Sequence, residues 1–158
     1  MDYNKNQPLG EAYTCLQGEG KYMGIPHILL RVTGCRLRCQ FSDSFCDTPY
    51  ASWAPEKGKY TLNDVVKFYE DNKHIKHTMI TGGGPTIHSK LLQELCYIGK
   101  MHGHTITIET EGSEFVPTNG DLISLKRITK SFLEKGNPIF VNGYMYAFDK
   151  NYKLYQIN

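Results

Sequence analysis

Three cysteines, Cys35, Cys39 and Cys46, fall within a stretch of twelve residues. Clustered thiols of this kind are typical metal ligands, although chance clustering gives the same pattern. A structural zinc site usually carries two Cys or His pairs, and no second pair is evident in this sequence. Three thiolates can instead hold three irons of a [4Fe–4S] cluster and leave the fourth iron open to a non-protein ligand. The spacing alone favours zinc and the cluster equally.

The other two cysteines, Cys15 and Cys96, stand apart from this group. Cys96 lies on the apolar stripe of a predicted helix, where a thiol behaves as a small buried hydrophobe. An odd number of cysteines is typical of a reducing compartment, where disulfides are rare. The first residues lack the apolar core of a signal peptide, and no apolar run approaches the roughly 20 residues of a membrane span. We therefore expect a cytoplasmic protein without a membrane partner.

Length and composition predict one globular domain over residues 1–158. The chain is 40% hydrophobic and 22% charged, which is an ordinary balance for a folded domain. A chain of this length buries enough surface to form a core without disulfides. The formal net charge of +2 is too small to indicate nucleic acid as a partner.

The elements that must position the cysteines alternate between strand and helix. Strands are predicted over 27–34, 77–81, 105–109 and 121–125. Helices are predicted after the capping residue Thr61 and over 88–102 and 127–135. This alternation predicts an α/β fold with parallel strands and right-handed crossovers. The last twenty residues break the pattern and predict a small antiparallel hairpin around 149–151.

Polar residues follow several of these strands directly. Cys35, Thr81 and Glu109 each lie where a predicted strand ends. In an α/β fold, ligands gather at the carboxyl ends of the parallel strands. These three residues are therefore expected to converge on one site.

Five short motifs occur in order along the chain: Leu16-Gln17-Gly18-Glu19-Gly20, Arg31-Val32-Thr33-Gly34-Cys35, Cys46-Asp47-Thr48, Thr81-Gly82-Gly83 and Ile108-Glu109-Thr110. Each motif is weak by itself. Together they resemble the 7-carboxy-7-deazaguanine synthases, a family of radical S-adenosylmethionine enzymes. The resemblance covers roughly residues 10–125.

The resemblance implies a partial or truncated (β/α) barrel of the radical S-adenosylmethionine type, followed here by the small C-terminal hairpin. It implies a lyase of queuosine and deazapurine biosynthesis that converts 6-carboxy-5,6,7,8-tetrahydropterin to 7-carboxy-7-deazaguanine. In this family a reduced [4Fe–4S] cluster cleaves S-adenosylmethionine, and the 5′-deoxyadenosyl radical abstracts hydrogen from the substrate. An electron donor such as flavodoxin and a homodimer are implied as well.

The resemblance also assigns the metal and cofactor residues. Cys35, Cys39 and Cys46 would bind the cluster, and S-adenosylmethionine would chelate the open iron. Thr48 matches a residue whose hydroxyl binds a Mg²⁺ ion that is shared with the substrate. The remaining cofactor contacts would come from Phe45, Cys46, Asp47, Gly82, Gly83 and Glu109.

The substrate residues implied by the resemblance are Leu16, Gln17, Gly18, Glu19, Arg31 and Thr81. The planar guanidinium of Arg31 suits the carboxylate of the pterin. Each residue also has an ordinary structural interpretation. The Gln17–Gly20 segment can be a β-turn, Arg31 can face solvent on its strand, and Glu109 can form a salt bridge. The histidines at 74, 77, 102 and 104 are expected at the surface.

Three features depart from the family pattern. The second cysteine gap is six residues, where most members have two, so Asp43 competes with Cys39 as the second cluster ligand. Gly84 stands where many radical S-adenosylmethionine enzymes carry Glu before a proline. After Leu125 the chain continues without the Ser-Pro-Lys stretch of the family. These departures leave open two alternatives: a related activase of a partner enzyme, and a truncated pterin- or metal-binding module without turnover.

Overall fold

A computed structural model describes residues 1–39, 46, 48–112, 114 and 116–125, and the backbone of three later strands. The strands are β1 (Leu9–Leu16), β2 (Pro26–Val32), β3 (His77–Gly82), β4 (Thr105–Thr110), β5 (Leu122–Leu125), β6 (Ile139–Val141), β7 (Tyr144–Phe148) and β8 (Leu154–Ile157). The helices are α1 (Pro49–Ser52), α2 (Leu62–Asp71) and α3 (Ser89–Met101), with a 3₁₀ turn at Pro85–His88.

Five strands form one mixed sheet in the order β1-β2-β3-β4-β5. The neighbours from β2 to β5 pair in parallel, as the alternation of strand and helix predicts. Strand β1, which the sequence analysis did not predict, pairs antiparallel with β2. This edge strand escaped the sequence analysis because its burial does not alternate along the strand, so its pairing depends on the register that β2 offers.

Helices cover one face of this sheet. The alternating residues Ile28, Leu30 and Val32 of β2 are buried in the hydrophobic core. The same core includes Leu62, Val65 and Tyr69 of α2, Leu91, Leu92 and Leu95 of α3, and Ile80, Ile106 and Ile108 of β3 and β4. The strand residues between them, including Leu29 and Arg31, therefore point to the opposite face.

The predicted start of α2 is confirmed in detail. The Thr61 side chain accepts a hydrogen bond from the Asp64 backbone N–H, and the Asp64 carboxylate accepts one from the Thr61 N–H. This reciprocal pair satisfies two of the backbone donors that the first turn of a helix leaves free. The short helix α1 at Pro49–Ser52, which has a proline in its first turn, was not predicted from the sequence.

One expectation about the histidines is also wrong. His104 is only 3% exposed, and its Nδ1 lies 3.0 Å from the Thr78 hydroxyl. Its ring also packs edge-on against Tyr69 at 4.6 Å between centroids. Thr78 and Tyr69 lie 26 and 35 residues earlier in the chain, so the tertiary fold decides this burial.

The last strands form a separate three-stranded antiparallel sheet in the order β6-β7-β8. Strands β7 and β8 flank residues 149–151, so the predicted hairpin is confirmed, and β6 extends it. The helix predicted over 127–135 lies outside the described residues. Within the part of the chain that the structure describes, no helix has the length and apolar character needed to cross a bilayer.

Candidate functional site

A row of polar side chains crosses the sheet on the face opposite the helices. Glu11 on β1 is the register partner of Arg31 on β2, and Arg31 is the partner of Thr81 on β3. One residue beyond the last β3–β4 register pair, the Thr81 hydroxyl donates a hydrogen bond to Glu109 Oε2 at 3.2 Å. Glu109 is in turn the register partner of Ser124. Strand pairing therefore aligns the predicted residues Arg31, Thr81 and Glu109.

Arg31 is mostly buried, which rejects the interpretation of a solvent-facing strand residue. Its side chain is 15% exposed, and its Nε lies 2.5 Å from Glu11 Oε2. The guanidinium also lies 5.9 Å from the centre of the Tyr50 ring. Burial alone would lower the pKa of Arg31, but hydrogen bonds to Tyr13 and Glu11 outweigh it and raise the pKa. Arg31 is thus a fixed cation at the site.

Gln17 joins the same polar row from the β1–β2 loop. Its amide donates to the Glu19 carbonyl at 3.0 Å and lies 3.5 Å from Glu109 Oε1. Gln17, Thr81 and Glu109 are 7%, 9% and 8% exposed, respectively. Buried polar groups in such an arrangement orient one another. Gln17 therefore does more than form a turn. Glu109 contacts the neutral side chains of Gln17 and Thr81, so a salt bridge is not its whole role.

A cavity of about 560 Å³ opens above this row at the carboxyl ends of the strands. Most of the predicted site residues line it: Gln17, Gly18, Glu19, Arg31, Cys35, Cys39, Cys46, Thr48, Thr81, Gly82, Gly83 and Glu109. Leu16 does not line the cavity. It lies at the end of β1 and is 64% exposed. Phe45 and Asp47, and the alternative ligand Asp43, lie outside the described residues.

The three cysteines are partly buried and line this cavity. Burial raises the pKa of the Cys35 thiol, while the Leu37 N–H, 3.4 Å from its sulfur, acts in the opposite direction. Among the described residues, no three His, Cys, Asp or Glu side chains are arranged to hold one metal ion. In a [4Fe–4S] cluster each thiolate binds a different iron, so the sulfurs surround a volume rather than a point. Three thiols around a shared cavity could each bind a different iron of such a cluster.

The short helix α1 holds Cys46 and Thr48 in place. The Ser52 hydroxyl donates to the Thr48 carbonyl at 2.9 Å and to Cys46 Sγ at 3.2 Å. Cys46 Sγ also lies 3.6 Å from Thr48 Oγ1. Nothing in the sequence indicated this role, because the role of Ser52 depends on α1. The nearby prolines, Pro49 and Pro55, argue against a helix.

Gly82 and Gly83 allow three backbone segments to meet beside the cavity. A Cβ at Gly82 would lie 2.1 Å from the Val32 carbonyl oxygen. At Gly83 it would lie 2.3 Å from the carbonyl oxygens of Gly34 and Ala51. These distances are far below van der Waals contact. A side chain would therefore separate β3 from α1 and from the cysteine segment, residues 35–46. The glycines thus bring the cysteine segment close to the end of β3.

Other lining residues were not predicted, among them Leu29, Met79, Trp53 and Glu111. Leu29 and Met79 lie two positions before Arg31 and Thr81 on the same strands, so the strand period places them on the same face. That period was the available signal for these two residues. Glu111 and Trp53 lie beyond the ends of regular elements and gave no such signal.

A smaller cavity of about 200 Å³ adjoins the first. The two share Gln17, Glu19 and Glu109 in their walls. Tyr22 of the β1–β2 loop lines the smaller cavity, and its ring lies 4.9 Å from that of His77. The loop therefore folds across the polar face of the sheet.

The fold and the site together define an α/β protein with a five-stranded mixed sheet and a cysteine-rimmed cavity at the carboxyl ends of its strands. The crystal structure of QueE from Escherichia coli has a similar fold, with a TM-score of 0.62 and 24% sequence identity. The match covers 76% of this chain and 60% of that chain. No family model matches the sequence.

Curated relatives identify the family. The chain is 32% identical over 152 residues to the 7-carboxy-7-deazaguanine synthase of Haemophilus influenzae, which covers 95% of this chain and 67% of the relative. It is 35% identical over 106 residues to the synthase of Halobacterium salinarum, covering 67% of this chain and 39% of the relative. It is 36% identical over 117 residues to the synthase of Rhodopirellula baltica, covering 74% of this chain and 43% of the relative. The chain belongs to the 7-carboxy-7-deazaguanine synthase family. It spans less than half the length of the last two relatives.

Proposed function

We propose that the chain is a radical S-adenosylmethionine lyase that converts 6-carboxy-5,6,7,8-tetrahydropterin to 7-carboxy-7-deazaguanine, within queuosine or other deazapurine biosynthesis. The observation that carries the proposal is that three cysteines and the buried row of Arg31, Thr81 and Glu109 share one cavity. The proposal treats residues 1–158 as one domain of the radical S-adenosylmethionine type, with the five-stranded sheet as part of a (β/α) barrel.

Cys35, Cys39 and Cys46 would hold the [4Fe–4S] cluster in this proposal. When bound and reduced, the cluster supplies the electron that cleaves S-adenosylmethionine. Gly82 and Gly83, which line the cavity between the cysteine segment and β3, would bind the cofactor through their backbone. Ser52 would orient the sulfur of Cys46 by its hydrogen bond.

The polar row would bind the pterin. Arg31 offers a fixed positive charge for the substrate carboxylate, and a charge-assisted hydrogen bond of this kind contributes roughly 1.5–3 kcal/mol. Gln17 and Thr81 offer donors and acceptors for the ring edge. Glu109, which the resemblance assigns to the cofactor, contacts both residues and is proposed to accept from the pterin as well. Leu29 and Met79 add an apolar wall to the same cavity. The side chains would thus hold the ring in one orientation and keep water from it.

Thr48 is the proposed protein ligand of a Mg²⁺ ion shared with the substrate. Magnesium prefers oxygen ligands and usually keeps several waters, so one hydroxyl and substrate oxygens are a suitable set. The support is that Thr48 lines the cavity beside Cys46.

The partners are proposed on the same basis. The substrate is a small molecule, an electron-donor protein such as flavodoxin supplies the reductant, and a homodimer is the expected assembly. No nucleic-acid or membrane partner is proposed. The proposed compartment is the cytoplasm, where cysteines remain reduced.

A pterin- or metal-binding module without turnover is the second candidate function. The observation that favours it is the length of the match, which spans 39% and 43% of two curated relatives. The first candidate predicts formation of 7-carboxy-7-deazaguanine, whereas the second predicts binding without any product.

The first experiment is anaerobic reconstitution with iron and sulfide, followed by 6-carboxytetrahydropterin, S-adenosylmethionine and a reductant. We expect about four irons per chain and a product with the mass of 7-carboxy-7-deazaguanine. Cys46→Ala should lose the cluster and cofactor cleavage together, while Cys96→Ala, which changes a thiol buried in the core, should keep the cluster. Pterin binding with an intact cluster but no product would support the second candidate. One zinc per chain, or no metal, would reject both radical chemistry and the ligand assignment.

The second experiment tests Arg31. Arg31→Ala should raise the KM for the pterin roughly 10- to 100-fold, because the variant loses a charge-assisted hydrogen bond to the carboxylate. Uncoupled cleavage of S-adenosylmethionine should continue, since Arg31 is assigned to the substrate alone. An unchanged KM would leave Arg31 with a purely structural role.

A further inference from the structure

The space beside Gly84 is filled by a carboxylate from another element. A Cβ built on Gly84 would lie 2.8 Å from Glu111 Oε1, and 3.2 Å from Glu111 Cδ and Oε2. The backbone at Gly84 has φ −143° and ψ 92°, an extended conformation that any residue adopts. The absence of a side chain at Gly84 is therefore explained by the position of Glu111 and by nothing in the backbone.

Two hydroxyls hold Glu111 in that position. Thr86 of the 3₁₀ turn donates to Oε1 at 3.4 Å, and Thr110 at the end of β4 donates to Oε2 at 3.1 Å. Glu111 also lines the large cavity together with Cys35 and Gly83. A carboxylate therefore faces the cavity next to Gly84, carried by the residue that directly follows β4.

Glu111 and Glu109 serve different parts of this cavity. Glu109 lies in the polar row with Gln17 and Thr81. Glu111 instead lies beside Gly84, whose N–H donates to the carbonyl of Gly34, the residue before Cys35. Glu111 thus stands on the cysteine side of the cavity, where the amino-acid part of S-adenosylmethionine would bind.

We propose that Glu111, the residue directly after β4, supplies the carboxylate that position 84 lacks, and that it accepts a hydrogen bond from the amino group of S-adenosylmethionine. The inference rests on the proposed function, because it assumes the cysteine-bound cluster and its cofactor. A carboxylate that already accepts two hydroxyl hydrogen bonds is oriented before the ligand arrives, so little conformational freedom is lost on binding. Glu111 and Gly84 thus form one unit, in which the carboxylate that follows β4 occupies the space that a side chain at position 84 would fill.

The test is the affinity of the cluster-loaded chain for S-adenosylmethionine, measured anaerobically by equilibrium dialysis. Glu111→Gln should weaken binding roughly tenfold or more, because the amino N–H group loses a charged acceptor. The affinity for 5′-deoxyadenosine, which has no amino-acid part, should not change. Glu114→Gln is the matched control. Glu114 lies three residues after Glu111 and pairs with Arg36, so this variant removes the same charge from a different contact.

Two further variants test whether the Glu111 carboxylate takes the place of a carboxylate at position 84. Gly84→Ala should also weaken S-adenosylmethionine binding, because its Cβ displaces the Glu111 carboxylate. In Glu111→Ala the space beside residue 84 is free, so the double variant Gly84→Glu/Glu111→Ala should regain most of the lost affinity. A role of Glu111 limited to holding β4 against the 3₁₀ turn would change the melting temperature in Glu111→Gln and leave the ratio of the two ligand affinities constant.

The outcomes separate this inference from the proposed function. A wild-type chain that holds the cluster and binds S-adenosylmethionine, together with a Glu111→Gln variant of equal affinity, overturns the assignment of Glu111 alone. An equal loss for both ligands overturns it as well. A wild-type chain that holds no cluster overturns the proposed function and this inference together.

Discussion

Glu11 holds Arg31 from the neighbouring strand, and this pair decides what the arginine can do. The two residues are register partners on β1 and β2, and Glu11 accepts the hydrogen bond of the Arg31 Nε. A guanidinium bound through its Nε keeps its terminal nitrogens in a fixed plane. Glu11 therefore acts as a positioning residue for the proposed carboxylate contact.

A charge-neutral variant tests this positioning. Glu11→Gln keeps the shape of the side chain but weakens its hydrogen bond to Arg31, so the KM for the pterin should rise roughly three- to tenfold with little change in kcat. Glu56→Gln is the matched control, because Glu56 pairs with Lys59 in an exposed i,i+3 ion pair. A fall in kcat at an unchanged KM would contradict the positioning role.

At the scale of the elements, the end of β3 is the point where the site is assembled. The Gly83 N–H donates to the Val32 carbonyl, the Gly84 N–H to the Gly34 carbonyl, and the Gly34 N–H to the Ala51 carbonyl. These backbone bonds tie β2, β3 and α1 together below the cysteines. The cysteine segment is therefore anchored by backbone contacts at both of its ends.

Gly83→Ala should break this junction. Its Cβ would meet two backbone carbonyl oxygens at 2.3 Å, and backbone atoms cannot move aside as the end of a side chain can. We expect a loss of roughly 1–3 kcal/mol in the free energy of unfolding, measured by urea denaturation. Gly18→Ala is the control, because no atom lies within 4 Å of a Cβ at that position. Equal stability of the two variants would contradict the close approach at Gly83.

For the whole molecule, the buried His104 predicts how stability depends on pH. Burial lowers the pKa of His104 to about 4, while in the unfolded chain the histidine titrates near 6.5. The unfolded state therefore binds a proton between about pH 6.5 and 4 that the folded state does not. The free energy of unfolding should fall by roughly 2–3 kcal/mol as the pH decreases through this window.

The groups around His104 strengthen this effect. Lys76, His102 and His77 each lower the pKa of His104 further, whereas a backbone hydrogen bond with His77 raises it. His104→Gln should flatten the pH dependence measured by urea denaturation at pH 4.5 and 7. His74→Gln, which changes an exposed histidine, should keep the slope of the wild type. A wild-type slope in His104→Gln would assign the dependence to other groups.

Most of the helices and parallel strands could be predicted from the sequence, because local patterns specify them. The apolar period of α2 and α3, the capping pair Thr61 and Asp64, and the runs of β-branched residues are each encoded within a few neighbouring positions. Strand β1 was missed because an edge strand depends on its partner for both register and burial. His104 was misplaced for a similar reason, since Tyr69 and Thr78 bury it from elsewhere in the chain.

By itself, the sequence determined the order of the motifs, the family that they resemble and the chemical types present at the site. These features follow from residue identity and short spacing, which folding does not alter. Only the tertiary structure decided that Glu11 faces Arg31, that Ser52 reaches Cys46 and that Glu111 occupies the space beside Gly84. The physical reason is that each of these contacts joins segments whose separation is set by strand register and helix packing, and neither is written in the local pattern.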